Sequence, residues 1–272
     1  MKVGDSCFPC ILGLARRTLE LIGVDGSDIE EFEDLIRREW GSERTPPSIA
    51  NLVLHAISAK YGVEDPYASI KLREIELAKD VSSRLKSRLS HDLFWVLKFS
   101  ALGNSSDFFI EPEYNWEEMD FFADMDRIEN ELVKRKDVLM LGDNVSDFFF
   151  DLPLIDLLEK MGKTVYYVVR ERPVQNDLSM RDVERYGLYE FFNRFLSTDT
   201  GEVGLKESDL KGQLKDLFEG ETFVISKGMG NYETLTEFSR RPVLYIMKIK
   251  CREVMRSTGY PMGKYVAIYR EG

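Results

Sequence analysis

Residues 137–169 read DVLMLGDNVSDFFFDLPLIDLLEKMGKTVYYVV, and this stretch decides the fold. A short apolar run at 138–141 stops at Gly142. Residues 148–161 place apolar side chains at helical spacing and stop at Gly162. Residues 164–169 are β-branched and aromatic, the composition of a buried strand. Strand, helix and strand at this spacing make a crossover unit, which sets the two strands parallel.

Working outward, the same alternation continues to the C-terminus. Helices are predicted at 181–186, 208–218 and 232–238, and strands at 195–197, 222–226, 243–249 and 265–269. Such an order implies an α/β fold, with a Rossmann-like, largely parallel sheet covered by helices on both faces. Toward the N-terminus the pattern is helical instead, at 9–22, 29–40, 47–61, 70–89 and 92–102. Gly23, Gly41, Gly62 and Gly103 stand where four of these helices would stop. No period-two stretch precedes residue 130. The expected division is therefore a helical domain at 1–130 and a Rossmann-like α/β domain at 131–272 carrying the functional site.

Composition narrows the function. Among 272 residues, 37 Lys and Arg face 48 Asp and Glu, a net charge of −11. An acidic chain lacks the basic surface that nucleic acid or an anionic membrane face would require. No apolar run approaches the roughly 20 residues of a membrane span. The apolar patch near the N-terminus has Asp5 before it and Arg16 and Arg17 after it, the reverse of a secretory signal. Three cysteines form no disulfide framework. The protein reads as cytoplasmic, acting on a small molecule.

Three polar clusters directly follow predicted strands, where an open parallel sheet gathers its ligands. They are Gly142-Asp143-Asn144, residues 170–177 with Asn176-Asp177, and residues 226–233 with Lys227, Gly228, Gly230, Asn231 and Glu233. Oxygen donors from Asp143, Asn144 and Asp177 suit a hard divalent cation such as Mg²⁺ or Mn²⁺. Zinc would recruit His or Cys, and both histidines, His55 and His91, fall in the helical part. The glycine-rich cluster can aim backbone N–H groups at an anion, with Lys227 neutralising charge on phosphoryl oxygens. Each cluster also has an ordinary reading: Asp143, Asn144 and Asn176-Asp177 as turn formers or caps, the glycines as turn makers, Lys227 as a solvated side chain. Their common rim favours a site.

These motifs resemble the damage-control phosphatase family, also known as domain of unknown function 89, in its short archaeal-type form. The resemblance rests on Gly142-Asp143-Asn144, on Asn176-Asp177 after Arg170, and on Lys227-Gly228-x-Gly230-Asn231-x-Glu233. Asp65-Pro66-Tyr67, Gly103-Asn104 with Asp107, Lys250-Cys251 and Cys7-x-x-Cys10 are fainter echoes. It implies a metal-dependent hydrolase of small phosphate monoesters, sugar phosphates or damaged phosphometabolites, using Mg²⁺, Mn²⁺, Co²⁺ or Ni²⁺. Asp143, Asn144 and Asp177 would hold the metal, and Asp143 and Lys227 would act in catalysis. Lys227, Gly228, Gly230, Asn231, Asn176, Arg170 and Asn104 would bind the phosphorylated substrate. Two positions depart from the family pattern. Val145-Ser146-Asp147 replaces Ala-Gly-Glu, which shortens an acidic side chain by one methylene, and Glu171 replaces a glycine, which would narrow the substrate entrance.

Two other functions fit less well. An S-adenosylmethionine-dependent carboxyl methyltransferase would want several glycines after the first strand, and Gly142 stands alone. A catalytically degenerate metal-binding protein would retain the cation without hydrolysis. Cys7 and Cys10 are expected to be structural thiols, and His55 a packed histidine. The pairs Phe108-Phe109 and Phe121-Phe122 are expected to fill the seam between the two parts.

Overall fold

The computed structural model describes residues 1–105, 116–239 and 241–271, so the predictions for Asp107 and for Phe108-Phe109 lie outside the described residues. Five helices open the chain: α1 (Cys7–Leu21), α2 (Ile29–Glu39), α3 (Pro46–Tyr61), α4 (Ala68–Lys86) and α5 (Leu93–Gly103). Local chemistry sets their ends. At α3 the Thr45 side chain caps the Ser48 N–H, prolines fill the first turn, and Gly62 closes the helix in the left-handed region at φ 66°. Helices α1 to α3 share a core of their own, built on Ile11, Leu19, Phe32, Ile36, Val53 and Ile57.

The remaining described elements alternate. They are β1 (Phe121–Ala123), α6 (Met125–Val133), β2 (Asp137–Leu141), α7 (Asp147–Lys160), β3 (Thr164–Val169), α8 (Met180–Arg185), β4 (Phe195–Ser197), α9 (Gly212–Glu219), β5 (Phe223–Lys227), α10 (Gly228–Phe238), β6 (Val243–Lys248), α11 (Arg252–Thr258) and β7 (Tyr265–Arg270). The seven strands form one sheet in the order β1-β7-β6-β5-β2-β3-β4. Strands β6, β5, β2, β3 and β4 are parallel, whereas β7 runs antiparallel to β6 and β1 pairs parallel with β7.

Alternate residues of each strand serve opposite faces, as a period of two requires. Val138, Met140, Val165 and Tyr167 join a core with Phe99, Phe148 and Phe150 from α5 and α7. Leu139, Leu141, Val168 and Val224 join another with Leu214, Phe218 and Tyr232 from α9 and α10. Each fully buried Phe contributes roughly 1.5–3 kcal/mol relative to exposure. No helix among the described residues is long and apolar enough to cross a membrane.

The α/β sheet expected from the alternation is present, with four local corrections. A strand does precede residue 130: β1 has three residues, too few to show alternation, and is defined by its pairing with β7. Its Phe121 packs against Phe94 at 5.4 Å, while Phe122 is 41% exposed beside Tyr260, so only the first of the pair is an inward filler. Helix α11 was not predicted, and Cys251 caps it by accepting the Val254 N–H. His55 is exposed rather than packed, with Nε2 3.4 Å from the Gly201 carbonyl oxygen.

The topology places the site. From β2 the chain steps outward to β3 and β4, then returns to β5 on the other flank of β2. The carboxyl ends of β2 and β5 therefore border the switch point, where an open α/β sheet has its crevice.

Candidate active site

Two of the predicted clusters are zipped together by backbone. Leu178 N–H donates to the Asp143 carbonyl oxygen at 2.8 Å, Val145 N–H donates to that of Asn176 at 2.9 Å, and Asn144 forms a bridge with Asp177. The third predicted cluster runs from strand into helix as expected, but α10 begins at Gly228, immediately after β5 and earlier than the predicted start at 232. Gly228 has φ +74°, and a Cβ there would lie 1.9 Å from Asp143 Oδ2. The glycine is thus required twice, for its backbone conformation and for the approach of the carboxylate.

Amides surround Asp143. Asn104 Nδ2 donates to Asp143 Oδ2 at 2.8 Å and to Asp147 Oδ2 at 3.2 Å, and Asn144 Nδ2 reaches the same two oxygens at 3.3 and 3.4 Å. No cation bonds Asp143 among the described residues. Its carboxyl is pushed well above the usual range, first by burial and then by the nearby Asp177 and Asp147 carboxylates.

Several predicted phosphate contacts are turned inward instead. Lys227 is fully buried: Nζ donates to Ser100 O at 2.8 Å, to Ser100 Oγ at 3.0 Å and to Asp151 Oδ1 at 2.5 Å, with Asp147 Oδ1 at 3.4 Å. Arg170 donates through Nε to Asp177 at 3.0 Å, and through its two terminal nitrogens to Gly204 O and Asn231 Oδ1, both at 3.0 Å. Asn231 in turn donates to Gly142 O and Lys227 O, each at 3.0 Å. These side chains tie the three segments together, and their donors face protein. Asp147, one methylene shorter than the family pattern, still reaches the centre of this network. Glu171 is exposed and bonds Ser197 Oγ at 2.6 Å, away from the cavity.

The cavity has a volume of about 550 Å³ and lies between α1, α3 and α4 on one side and the sheet's carboxyl rim on the other. Asn144, Asn176 and Gly230 line it, and the buried Asp143 and Asp177 are each the chain neighbour of one of these lining asparagines. Asn176 also donates to Glu74 Oε2 at 3.0 Å. Lys250 faces the same space, is exposed, and has no ion-pair partner among the described residues; its charge opposes the upward shifts of Asp143 and Glu74.

Sequence reading left several participants unassigned. Asp151 follows Asp147 by one turn on a Phe-rich helix, a pair of acids on one face that patterning could have flagged. Ser100, Glu74 and the roles of Glu233 and Lys250 depend on tertiary placement and left no signal of that kind.

The donor set fits a hard divalent cation. Lys227 balances Asp151 and Asp147, and Arg170 balances Asp177, which leaves buried Asp143 without a contacting cation. Among the described residues no three Asp, Glu, His or Cys side chains are grouped to hold a metal alone. Two carboxylates with an amide oxygen would leave the other positions to water and substrate, as Mg²⁺ accepts.

Known proteins resemble this chain over nearly its whole length. Residues 3–266 match the family described as damage-control phosphatase ARMT1-like domain. A damage-control phosphatase of Pyrococcus horikoshii is 27% identical, with 98% of each chain covered. A damage-control phosphatase of Archaeoglobus fulgidus is 28% identical, over 98% of this chain and 99% of the relative. The crystal structure of a DUF89 family protein from P. horikoshii superposes with a TM-score of 0.88 at 26% identity, covering 98% of this chain and 99% of that one.

Proposed function

The chain belongs to the damage-control phosphatase ARMT1-like family, and on that premise we propose that it hydrolyses small phosphate monoesters with a divalent cation held by Asp143, Asn144 and Asp177. One observation carries the reading. A buried carboxylate lacking a cation sits at the sheet's switch point, next in the chain to Asn144 on the wall of a cavity large enough for a small phosphorylated metabolite. The amide nitrogens of Asn104 and Asn144 hold that carboxylate, so its position is fixed before any ligand arrives.

A bound cation would supply Lewis-acid polarisation of the phosphoryl oxygens. The chain's own groups do the rest. First-turn N–H groups of α10 have no partner within their helix, and Gly230 brings that turn to the cavity. Lys250 provides the positive charge facing the phosphate, the task expected of Lys227. Lys227, Arg170 and Asn231 act as positioning residues, holding Asp147, Asp177 and the β2 loop. Such pre-set charges act where water is excluded, without reorganisation during the reaction.

The test is a phosphatase screen over sugar phosphates and other small esters with Mg²⁺, Mn²⁺, Co²⁺ and Ni²⁺ in parallel. Metal-stimulated release of phosphate is expected. Metal binding without hydrolysis of any ester would leave only the degenerate reading. Acid trapping during a single turnover distinguishes attack by the Asp143 carboxylate from attack by water.

A further inference from the structure

Helix α10 turns Met229, Gly230 and Glu233 toward the cavity, the i, i+1 and i+4 positions of one helical face. Glu233 is 9% exposed. Among the described residues its carboxylate takes no hydrogen bond and makes no ion pair; the Met1 ammonium bonds its backbone carbonyl oxygen instead. Burial raises its pKa to about 7, opposed only by the charge of that ammonium. Beside it the wall offers Cys7, Cys10 and Cys251, and thiols are weak donors. Glu233 is therefore a largely buried carboxylate that faces the cavity with no protein donor among the described residues.

Its position along the helix fits a substrate contact. Gly228 touches Asp143, and Glu233 lies five residues further on, about 7.5 Å along the axis. That is the reach of a small phosphate ester whose phosphoryl group sits at the β2 loop.

We propose that Glu233 is a specificity-determining residue that accepts a hydrogen bond from a hydroxyl or ammonium group on the alcohol portion of the phosphate ester. The claim rests on the phosphatase reading of the same cavity. It implies discrimination against esters with an apolar alcohol portion, because they leave the carboxylate without a donor.

The experiment compares wild type, Glu233→Ala and Glu233→Gln on phenyl phosphate, glycerol phosphate and aminoethyl phosphate, with a melting curve for each protein. Glu233→Ala is expected to lower kcat/KM about 10- to 100-fold on at least one donor-bearing ester, mainly through KM, with phenyl phosphate changed less than about twofold. Glu233→Gln separates the two donors. Its amide oxygen still accepts from a hydroxyl, so glycerol phosphate turnover would persist, while an ammonium would lose its charged partner. An equal fall on all three esters, or no change on any, would overturn the proposal. If the metal-loaded wild type hydrolyses none of them and no ester of the wider screen, the phosphatase reading fails. Calorimetric binding of the same esters then still decides the matter, since equal affinities for wild type and Glu233→Ala would overturn the role of Glu233.

Discussion

Two lysines stand at the carboxyl ends of neighbouring strands, and their surroundings are opposites. Lys227, at the end of β5, is fully buried with its three donors engaged by Ser100 O, Ser100 Oγ and Asp151, and with Asp147 Oδ1 3.4 Å away as a further ion-pair partner. Lys250, two residues beyond β6, is exposed on the cavity wall without an ion pair among the described residues. The same contrast separates Asp151, which is paired, from Glu233, which is not. A charge whose partners are all protein holds the structure in place. A charge facing the cavity without partners is available to a ligand. Four substitutions probe this distinction.

The largest effect is expected at Asp143, which belongs to both regions. It is held by protein amides yet lacks a cation. Asp143→Ala should reduce metal-dependent turnover by at least about 10³-fold, the scale of losing a preorganised electrostatic group. Calorimetric titration with Mn²⁺ should show metal affinity lost in parallel. Wild-type turnover in the variant would remove Asp143 from the mechanism.

Lys227→Met comes next, acting through stability. Removing one partner of a buried charge network leaves Asp147 and Asp151 uncompensated, at a cost of about 3–5 kcal/mol. A fall in Tm of about 10 °C is expected for a chain of this size. A variant that melts like wild type but loses activity would move Lys227 from the structural region to the reacting one.

Glu233→Gln should change stability with a characteristic pH dependence. The carboxyl is lifted from its usual 4.5 to about 7 by burial. Between these values the unfolded chain releases its proton while the folded chain retains it, so wild-type stability falls as pH rises from 4.5 to 7 and then levels off. The variant should match wild type near pH 4 and exceed it above pH 7, by at most about 3 kcal/mol. A difference in Tm that is constant from pH 4 to pH 8 would mean that the carboxylate finds a partner in solution.

How far the sequence revealed this arrangement follows the same division. Glycine stops and apolar spacing located the helices, and Asp143, Asn144 and Asp177 fell at strand ends where topology gathers them. Periodicity could not report β1, whose three residues are defined by a partner more than 140 positions away. Nor could it distinguish Lys227 from Lys250. Both are lysines after an apolar strand, and only tertiary packing encloses the first with Asp151 and leaves the second on the wall. Asp147 shows the same limit: a side chain one methylene shorter still reaches Asn104 because α5 packs directly against α7, where a Cβ on Gly103 would lie 2.8 Å from Phe150 Cβ.

The smallest effect is expected at Lys250, and it is the sharpest test of the distinction. Lys250→Ala removes an exposed charge that supports no element, so Tm should shift by less than about 1 °C. Its ammonium opposes the upward shifts of Asp143 and Glu74, so its charge favours the ionised form of both carboxyls. A phosphate ester bound there carries negative charge, and losing one partly solvated cation should lower kcat/KM about tenfold, with the loss reduced at high salt. Lys250→Arg should recover most of the rate, because the interaction needs charge rather than a particular shape. If Lys250→Ala were silent while a moderately destabilised Lys227→Met lost phosphate affinity specifically, burial and full pairing would not exclude a lysine from the chemistry, and the contrast between the two lysines would fail.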